Sequence, residues 1–472
     1  MNNALVISTL VVYMAALVGV GFWASRRTHD QDDFILGGRG LGGYVAALSY
    51  SASASSAWTL LGLSGAAFAL GVRAVWIAVG ATLTMLVAWF WIAPRLMSWT
   101  RERNQLTLPD FLADDTTGGW RTAIVVVSAL IIIVSFVMYI AAQFQGAGST
   151  FASLFNMPFS VAIVLGAGII LLYTLLGGFW AVSVTDSIQG TLMAITAVVL
   201  PLVALIALGG PAGFAGSLKA VSTPAQTSFI GGQIGLAAFG VVVGSMAIGM
   251  GTFGQPQLLA RFMALKDHRA RRQAAWLTTA WYAVVFFGMV FLGLAGRVLV
   301  PDIDNPETLF FELTEKLFHP LAASVMIAAV LSAIMSTADS QLVVTASAIS
   351  HDLGAARRFG RRAIVVTRMA VLAVVILAVV VSIYLPAQIF DRVLASWIAL
   401  GSAFGPVIFA RLAGLRRPPA AVLASIVIGY GFAIGLPQIV EPTPGMIVER
   451  LLPFVAALAV LISIRGSGQS SS

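Results

Sequence analysis

Two acidic residues lie inside apolar runs of this sequence, where an ionisable side chain is costly and usually functional. Of 19 acidic residues, Asp186 and Asp339 stand within long apolar stretches. A helix places Ser336, Asp339 and Ser340 on one face, with Thr337 beside them. Clustered hard oxygen ligands, in a chain without cysteine, suit an alkali or alkaline-earth cation. The cluster predicts a cation site, and hydrogen bonding between helices is the alternative interpretation.

Small and polar residues interrupt two of the apolar runs. Residues 49–58 read SYSASASSAW, and residues 240–256 contain five glycines and end in a proline. Paired interrupted helices are typical of transporter binding sites, because unwound backbone offers carbonyls to cations and amides to anions. Close packing between helices is the alternative, since it also uses small residues.

The elements that carry these residues are membrane helices. The 472 residues are 59% hydrophobic and 10% charged, with a mean hydropathy of +0.95, outside the range of soluble domains. Apolar runs of about 20 residues cross the hydrocarbon core and must be helical there. The pattern predicts an all-α membrane protein with about 13 transmembrane helices, near residues 4–24, 43–70, 74–97, 121–148, 158–177, 185–209, 229–256, 272–300, 320–350, 363–384, 388–410, 420–438 and 446–464.

Basic residues concentrate in the loops that follow odd-numbered spans. The positive-inside rule then places the N-terminus outside and the C-terminus in the cytoplasm of a multi-pass protein of the cell inner (plasma) membrane. Arg261 is assigned to the basic loop after the seventh span, so no arginine is expected at membrane depth.

One membrane domain is predicted, over residues 1–465. Because five spans separate the two interrupted helices, residues 43–209 and 229–410 are predicted to form inverted repeats with a five-plus-five arrangement. Residues 466–472 form a short polar tail that we expect to be disordered.

Several short motifs, in order and at matching spans, resemble those of the solute:sodium symporter family. They are DDFILGGR at 32–39, LTLPD at 106–110, GGFWAV at 177–182, FGQP at 253–256, LARFMA at 259–264 and MST at 335–337. Each motif is weak alone, but the set extends along nearly the whole chain. The resemblance implies a sodium-coupled symporter that imports a small organic solute, with no cofactor other than Na⁺ as the coupling ion.

The resemblance also implies a sodium site between the second and ninth spans. Its ligands would be the backbone carbonyls of Ala52, Ser55 and Ala333 and the hydroxyls of Ser336 and Thr337. We further expect Asp186 and Asp339, with Ser336 and Ser340, to form a second cation site, because two buried carboxylates cannot both stay charged alone.

Substrate residues are implied at Ser56, Trp58, Tyr139, Ile248 and Gln255. The chain departs from the family's proline-transporting branch at two positions. Ala54 stands where that branch has an aspartate, and Ile248 aligns with a tryptophan. Proline is therefore the leading candidate within a wider class, the small neutral amino acids and monocarboxylates.

Other functional classes are less consistent with the sequence. Proton coupling through Asp186 or Asp339 stays open as an alternative, and a channel is a weaker one because no selectivity-filter loop is visible. The sequence shows no nucleophile elbow, metal-ligating histidine motif or phosphate loop. Neither an enzyme nor a transporter driven directly by ATP is therefore predicted. The expected partners are a small-molecule substrate, sodium and the lipid bilayer, without nucleic acid, and the oligomeric state is left open.

Overall fold

Helices form almost all of the computed structural model, which describes residues 3–26, 31–355, 359, 363–385 and 387–464. The predicted tail, 466–472, lies outside the described residues. In the first half of the chain the α-helices are α1 (Asn3–Ser25), α2 (Gln31–Leu36), α3 (Gly43–Ala54), α4 (Leu63–Leu70), α5 (Val75–Val87), α6 (Ala93–Glu102), α7 (Leu108–Leu112), α8 (Gly118–Phe155), α9 (Phe159–Ala207) and α10 (Gly210–Val221).

The second half continues in the same manner, and its α-helices are α11 (Gly235–Ala247), α12 (Pro256–Met263), α13 (His268–Leu299), α14 (Leu309–Leu317), α15 (Pro320–Ser347), α16 (Ala363–Tyr384), α17 (Ile389–Leu412), α18 (Pro419–Ile439) and α19 (Ile447–Ser463). Strand pairing within the described ranges is limited to one isolated bridge between Leu41 and Leu265. The all-α class predicted from the sequence is therefore confirmed.

Ten helical runs among the described residues are long and apolar enough to cross a bilayer. Two shorter apolar helices, Ile7–Trp23 and Phe159–Leu172, lie where further spans are predicted. One 45-residue run, Trp58–Glu102, extends through the end of the second predicted span and all of the third. The predicted count of thirteen is not confirmed by this criterion and stays a prediction.

The predicted loop at residues 178–184 is instead part of α9. Its single non-helical residue is Gly178, with φ 57° and ψ −166°. Only glycine adopts such a conformation readily. A Cβ at this position would also lie 2.9 Å from the Phe34 ring. A one-residue kink therefore joins the fifth and sixth predicted spans.

The helices differ in how much of their surface the protein covers. α15 is buried along most of its length and packs against α3, α8 and α9. α17 is also largely buried and packs against α8, α18 and the segment Ile248–Gly254. In contrast, α16, α18 and α19 expose large apolar side chains such as Ile376, Val427 and Val455. The central helices are thus fixed on all sides, while the outer ones have apolar faces suited to lipid.

Candidate functional site

The second predicted span breaks at the serine run. Ser55 follows α3 with φ −106° and ψ 80°, outside the helical region. The chain becomes helical again in a π-turn that begins at Trp58. The Trp58 amide donates to the Ser56 hydroxyl at 3.2 Å, and the Ala57 amide donates to Oε1 of Gln143 on α8 at 3.1 Å. Side chains thus satisfy amides that the broken helix releases.

The seventh predicted span breaks in a different manner. α11 passes into a 3₁₀ segment, Ile248–Gly254, and Gln255 is extended before α12 begins. Nε2 of Gln255 donates to the carbonyls of Gly251 and Trp397, each at 3.3 Å. Gly251 must be glycine here, because a Cβ would lie 1.9 Å from Cδ1 of Trp397. The break is therefore packed directly against α17.

Hydroxyls of α15 meet the broken end of α3. Ser336 Oγ lies 3.1 Å from the carbonyl of Ala52 and 3.2 Å from that of Ala333. Thr337 Oγ1 donates to the carbonyl of Ser53 at 3.2 Å. All of these residues are buried, as is Ser55. The predicted sodium ligands Ala52, Ala333 and Ser336 are thus brought together, while the Thr337 hydroxyl contacts the carbonyl of Ser53, which the sequence did not single out.

A buried arginine lies beside the predicted second cation site. Nη2 of Arg261 is 2.8 Å from Oδ2 of Asp186, and both side chains are at most 1% exposed. Ser49 and Ser53 donate to the same carboxylate oxygen at 2.7 and 3.2 Å. Nη2 of Arg261 also donates to Oγ of Ser340 at 2.6 Å. A guanidinium therefore provides a positive charge next to Asp186.

The placement of Arg261 in a loop was wrong, because every residue of α12 is buried. The lone arginine within the apolar run LLARFMA was the missed signal, since an isolated charge in such a run predicts a buried partner of opposite sign. Asp339 joins the same network, because Oγ of Ser340 donates to its Oδ1 at 3.3 Å. Ser340 therefore links Asp339 to Arg261, which pairs directly with Asp186.

A small cavity lies between the two helix breaks. Trp58, Tyr139 and Ile248, which the sequence singled out, line it. Ser56 contacts the hydroxyl of Tyr139 at 3.3 Å, whereas Gln255 is not among the lining residues and instead holds the break at α11. The other lining residues, which sequence reasoning missed, are Ala54, Ala81, Gly249, Thr252, Tyr282, Phe286, Val393, Leu394 and Trp397.

Five of the twelve residues that line the cavity are aromatic. Trp58 stacks on Phe390 with ring centroids 5.8 Å apart, and Trp397 meets Tyr139 edge to face at 6.4 Å. Nε1 of Trp397 donates to the carbonyl of Ile248 at 3.0 Å. Nε1 of Trp58 is buried and has no hydrogen-bond partner among the described side chains and backbone. A buried donor of this kind is normally paired, and the aromatic rings give the cavity flat apolar walls.

Hydrogen bonds to backbone carbonyls link several segments at the end of the bundle that carries the basic loops. The Leu41 amide donates to the carbonyl of Ala264 at 3.0 Å, and the Lys266 amide donates to the carbonyl of Leu41 at 2.9 Å. Arg39 donates to the carbonyl of Gln105 at 2.7 Å, and Arg101 donates to the carbonyl of Lys266 at 3.1 Å. Three of these four bonds join the first half of the chain to the segment around Ala264 and Lys266 in the second half.

An ionic cluster reinforces the same face. Oδ2 of Asp110 lies 3.0 Å from Nε2 of His351, and Oδ1 lies 3.2 Å from Arg121. Burial raises the pKa of the Asp110 carboxyl, but His351 and Arg121 outweigh this and hold the pKa below its usual value. The ionised Asp110 carboxylate therefore stabilises the fold at pH values above the usual pKa of a carboxyl group. This contribution to stability is lost as the pH falls through the lowered pKa of Asp110.

Solved structures share this architecture. A Na⁺-coupled sialic acid symporter matches with a TM-score of 0.81 at 16% identity, over 97% of this chain and 96% of that one. A nucleobase-cation-symport-1 family transporter matches with a TM-score of 0.57 at 12% identity, over 92% and 95% of the two chains. The fold is therefore that of a membrane transporter with a five-plus-five inverted-repeat core.

The model of the sodium:solute symporter family matches residues 34–416, and the chain belongs to this family. The osmoregulated proline transporter OpuE of Bacillus subtilis is 34% identical, over 96% of this chain and 94% of the relative. A sodium/proline symporter of Staphylococcus aureus is 33% identical, over 86% and 81% of the two chains. The protein is thus a multi-pass membrane transporter, and its relatives are symporters rather than enzymes.

The buried pair Arg261 and Asp186 gives a prediction about stability. Arg261→Met leaves a buried carboxylate without its cation, and we expect a loss of about 3–5 kcal/mol. Adding Asp186→Asn removes the second charge and should recover part of that loss. Thermal unfolding of the purified protein in detergent measures both, with Arg269→Met at an exposed site as the control. Strictly additive losses in the double variant would contradict the coupling of this pair.

Proposed function

We propose that the protein couples the inward movement of sodium to the import of a small neutral amino acid or monocarboxylate, with proline the leading candidate. The observation that carries this proposal is the contact between the α15 hydroxyls and the broken end of α3. Ser336 reaches the carbonyl of Ala52, and Ala54, two residues further, lines the aromatic cavity. Ion and solute would therefore bind to the same short segment of unwound backbone.

The proposed sodium site combines the carbonyls of Ala52, Ser55 and Ala333 with the hydroxyls of Ser336 and Thr337. A dehydrated cation needs several oxygen ligands, and in this arrangement they come from two separate helices. Sodium bound here would hold α3 against α15. It would fix the position of residues 55–58, the last of which, Trp58, lines the cavity. We infer that this ordering couples sodium binding to solute binding. Whichever ligand binds first orders residues 55–58, so the second ligand binds to a segment that is already ordered and its affinity is higher.

The solute carboxylate is proposed to bind near the first helix break. The amides of Ala57 and Trp58 point to Gln143 and Ser56, side-chain acceptors that a carboxylate can replace. Nε2 of Gln143 is buried and makes no hydrogen bond to any part of the chain that is described. The buried guanidinium of Arg261 is paired with Asp186 and does not line the cavity, so the backbone amides are the favoured anchor.

The walls of the cavity support a small, partly apolar solute, because aromatic and aliphatic side chains make up most of the residues that line it. The proline-transporting branch has a tryptophan where this chain has Ile248. Trp397 of α17 lies against that position and supplies an aromatic wall from a different helix. This replacement favours proline despite the departure at Ile248.

A second cation site is proposed around Asp339, Ser336 and Ser340, with Asp186 nearby. Ser340 connects Asp339 with Arg261, and Ser53 lies 2.8 Å from the same hydroxyl. Two carboxylates share this network with one guanidinium among the described groups, and a sodium ion would add the further positive charge that favours two ionised carboxylates. Proton binding at Asp339 is the alternative, and it would give a proton-coupled transporter of the same fold.

The proposed orientation has the N-terminus outside and the C-terminus in the cytoplasm. Arg39 and Arg101 donate to backbone carbonyls of the basic-loop segments, at Gln105 and Lys266, and this grouping of basic residues supports a cytoplasmic assignment for that face. We propose that these contacts hold that face together while solute and sodium enter from the opposite side, as uptake requires. A channel is less favoured, because no selectivity-filter loop is visible in the sequence.

The sodium site is tested by removing both hydroxyls. We expect Ser336→Ala with Thr337→Ala to raise the sodium concentration for half-maximal uptake about tenfold or more, because only backbone carbonyls remain as ligands. The measurement is uptake of labelled solute into proteoliposomes over a range of sodium concentrations. Thr345→Ala with Ser347→Ala is the matched control, since those hydroxyls bond within α15 itself. Unchanged sodium dependence in the first double variant would exclude the site.

The second cation site is tested with Asp339→Asn, which keeps the size of the side chain and removes its charge. We expect a lower Hill coefficient for sodium, or less charge moved per solute, with normal expression. Sodium titrations and current measurements on reconstituted protein give these values. Wild-type coupling would favour a structural role for Asp339, whereas loss of only the pH dependence would indicate a proton instead of sodium.

The substrate class is tested by competition and by changing the cavity wall. We expect proline and other small neutral amino acids or monocarboxylates to compete with uptake, and sugars and dicarboxylates to compete poorly. Trp397→Leu should raise the half-saturating solute concentration roughly tenfold, since an aromatic contact beyond simple area burial contributes about 0.5–1.5 kcal/mol. Trp276→Leu, on a side chain 65% exposed, is the control. Strong competition by sugars or dicarboxylates alone would refute the assignment.

A further inference from the structure

A second, larger cavity opens on the face that carries the basic loops, away from the aromatic cavity. It has about 1100 Å³ of space, part of it open to solvent. The segment between α6 and α8 forms one side, and the hairpin between α17 and α18 forms the other. Four of its lining residues are arginines, namely Arg103, Arg411, Arg416 and Arg417.

The hairpin brings three of these arginines together. Arg411 lies in the last turn of α17, which Gly414 ends with φ 79°. The Leu415 amide then bonds back to the carbonyl of Ala410 at 2.9 Å, the reversal that a glycine in this conformation permits. Arg416 and Arg417 follow directly, before α18 begins. Three guanidinium groups thus come from seven consecutive residues and face one cavity.

The fixed hydrogen bonds use only part of the donor capacity of this cluster. Nη2 of Arg411 donates to the carbonyl of Leu112 at 2.9 Å, and Nη1 of Arg417 donates to that of Ile462 at 3.4 Å. The Nε atoms of both residues are buried and have no hydrogen-bond partner within the described ranges. Five N–H donors on each guanidinium are suited to phosphate oxygens.

The charge of the lining is positive. Asp114 and Asp115 also line the cavity, and Asp114 is held by Arg103 at 3.0 Å and by Nε1 of Trp99 at 2.8 Å. Four arginines against two aspartates leave an excess of two positive charges. This excess matches an anion with one or two phosphate charges, because charge-assisted bonds to phosphate are among the strongest in proteins.

The rest of the wall distinguishes a lipid from a soluble anion. Val407, Val422 and Leu461 line the same cavity, and they belong to the apolar helices α17, α18 and α19. The outer faces of α18 and α19 expose Val427 and Val455, as helices in contact with lipid do. A phospholipid whose phosphate binds beside such a surface can keep its acyl chains against the apolar helices.

We propose that this cavity binds the phosphodiester headgroup of an anionic phospholipid, with the arginines of the α17–α18 hairpin as the phosphate ligands. The bound headgroup would tie this hairpin to the segment between α6 and α8, which contributes Arg103 and the carbonyl that Arg411 contacts. The lipid would therefore stabilise the basic face of the protein. It would act at a distance from the sodium ligands and the aromatic cavity.

The test measures the melting temperature of the detergent-purified protein during titration with cardiolipin, phosphatidylglycerol, phosphatidylcholine or inorganic phosphate. We expect a saturable rise with the two anionic lipids and none with phosphatidylcholine or millimolar phosphate. Arg416→Gln with Arg417→Gln should weaken the apparent affinity for anionic lipid roughly tenfold or more, since each arginine near a lipid surface contributes about a fivefold factor. Arg411 is left intact because it also holds the carbonyl of Leu112.

Arg95→Gln with Arg269→Gln is the matched control, because it removes the same charge from exposed arginines of this face outside the cavity. Wild-type affinity in the control supports the proposal. Equal weakening in both double variants would overturn it in favour of general surface attraction. A rise caused by inorganic phosphate alone would overturn it in favour of a soluble anion. Native mass spectrometry of the folded variants counts the bound lipids directly, and unchanged lipid retention in Arg416→Gln with Arg417→Gln would also overturn it.

Discussion

A helix that breaks inside a bilayer releases backbone amides and carbonyls that have no water to bond with, and each must find a partner in the protein. Most of the central architecture serves this requirement. Gln143 of α8 and the Ser56 hydroxyl take up amides at the first break. Gln255 takes up carbonyls of Gly251 and Trp397 at the second. Oxygen atoms that remain available near the first break are the ones that a cation can use.

Burial explains why the polar groups of this centre are connected and not scattered. Asp186, Arg261, Ser49 and Ser340 are almost completely excluded from solvent, and an isolated charge in such a place is strongly unfavourable. A guanidinium with five donors can bond to a carboxylate, two hydroxyls and a carbonyl at once, which is what Arg261 does. The network joins α3, α9, α12 and α15, so any change in its charge acts on four helices together.

The aromatic cavity depends on the same packing. Gly251 and Gly254 allow α17 to approach the second break closely, since a Cβ at Gly254 would lie 2.0 Å from the carbonyl of Leu400. This approach brings Trp397 to the wall beside Ile248. The seventh predicted span has no aromatic side chain at Ile248. Because Gly251 and Gly254 have no side chains, α17 can approach closely enough for Trp397 to supply an aromatic surface there.

The sequence by itself determined the membrane class, the helical content, the two broken helices and the family. The first three follow from local composition, because a long apolar run must be a helix in lipid and a polar interruption in it must be compensated. The family follows from short motifs along the chain, and the resemblance implied Trp58, Tyr139 and Ile248, which line the cavity. The tertiary structure decided which distant groups meet. The pairing of Arg261 with Asp186, the position of Trp397 and the cluster of arginines around Arg411 depend on how helices far apart in sequence pack. The lone Arg261 in its apolar run indicates a buried partner of opposite sign, but the local sequence does not show which distant acidic residue that partner is.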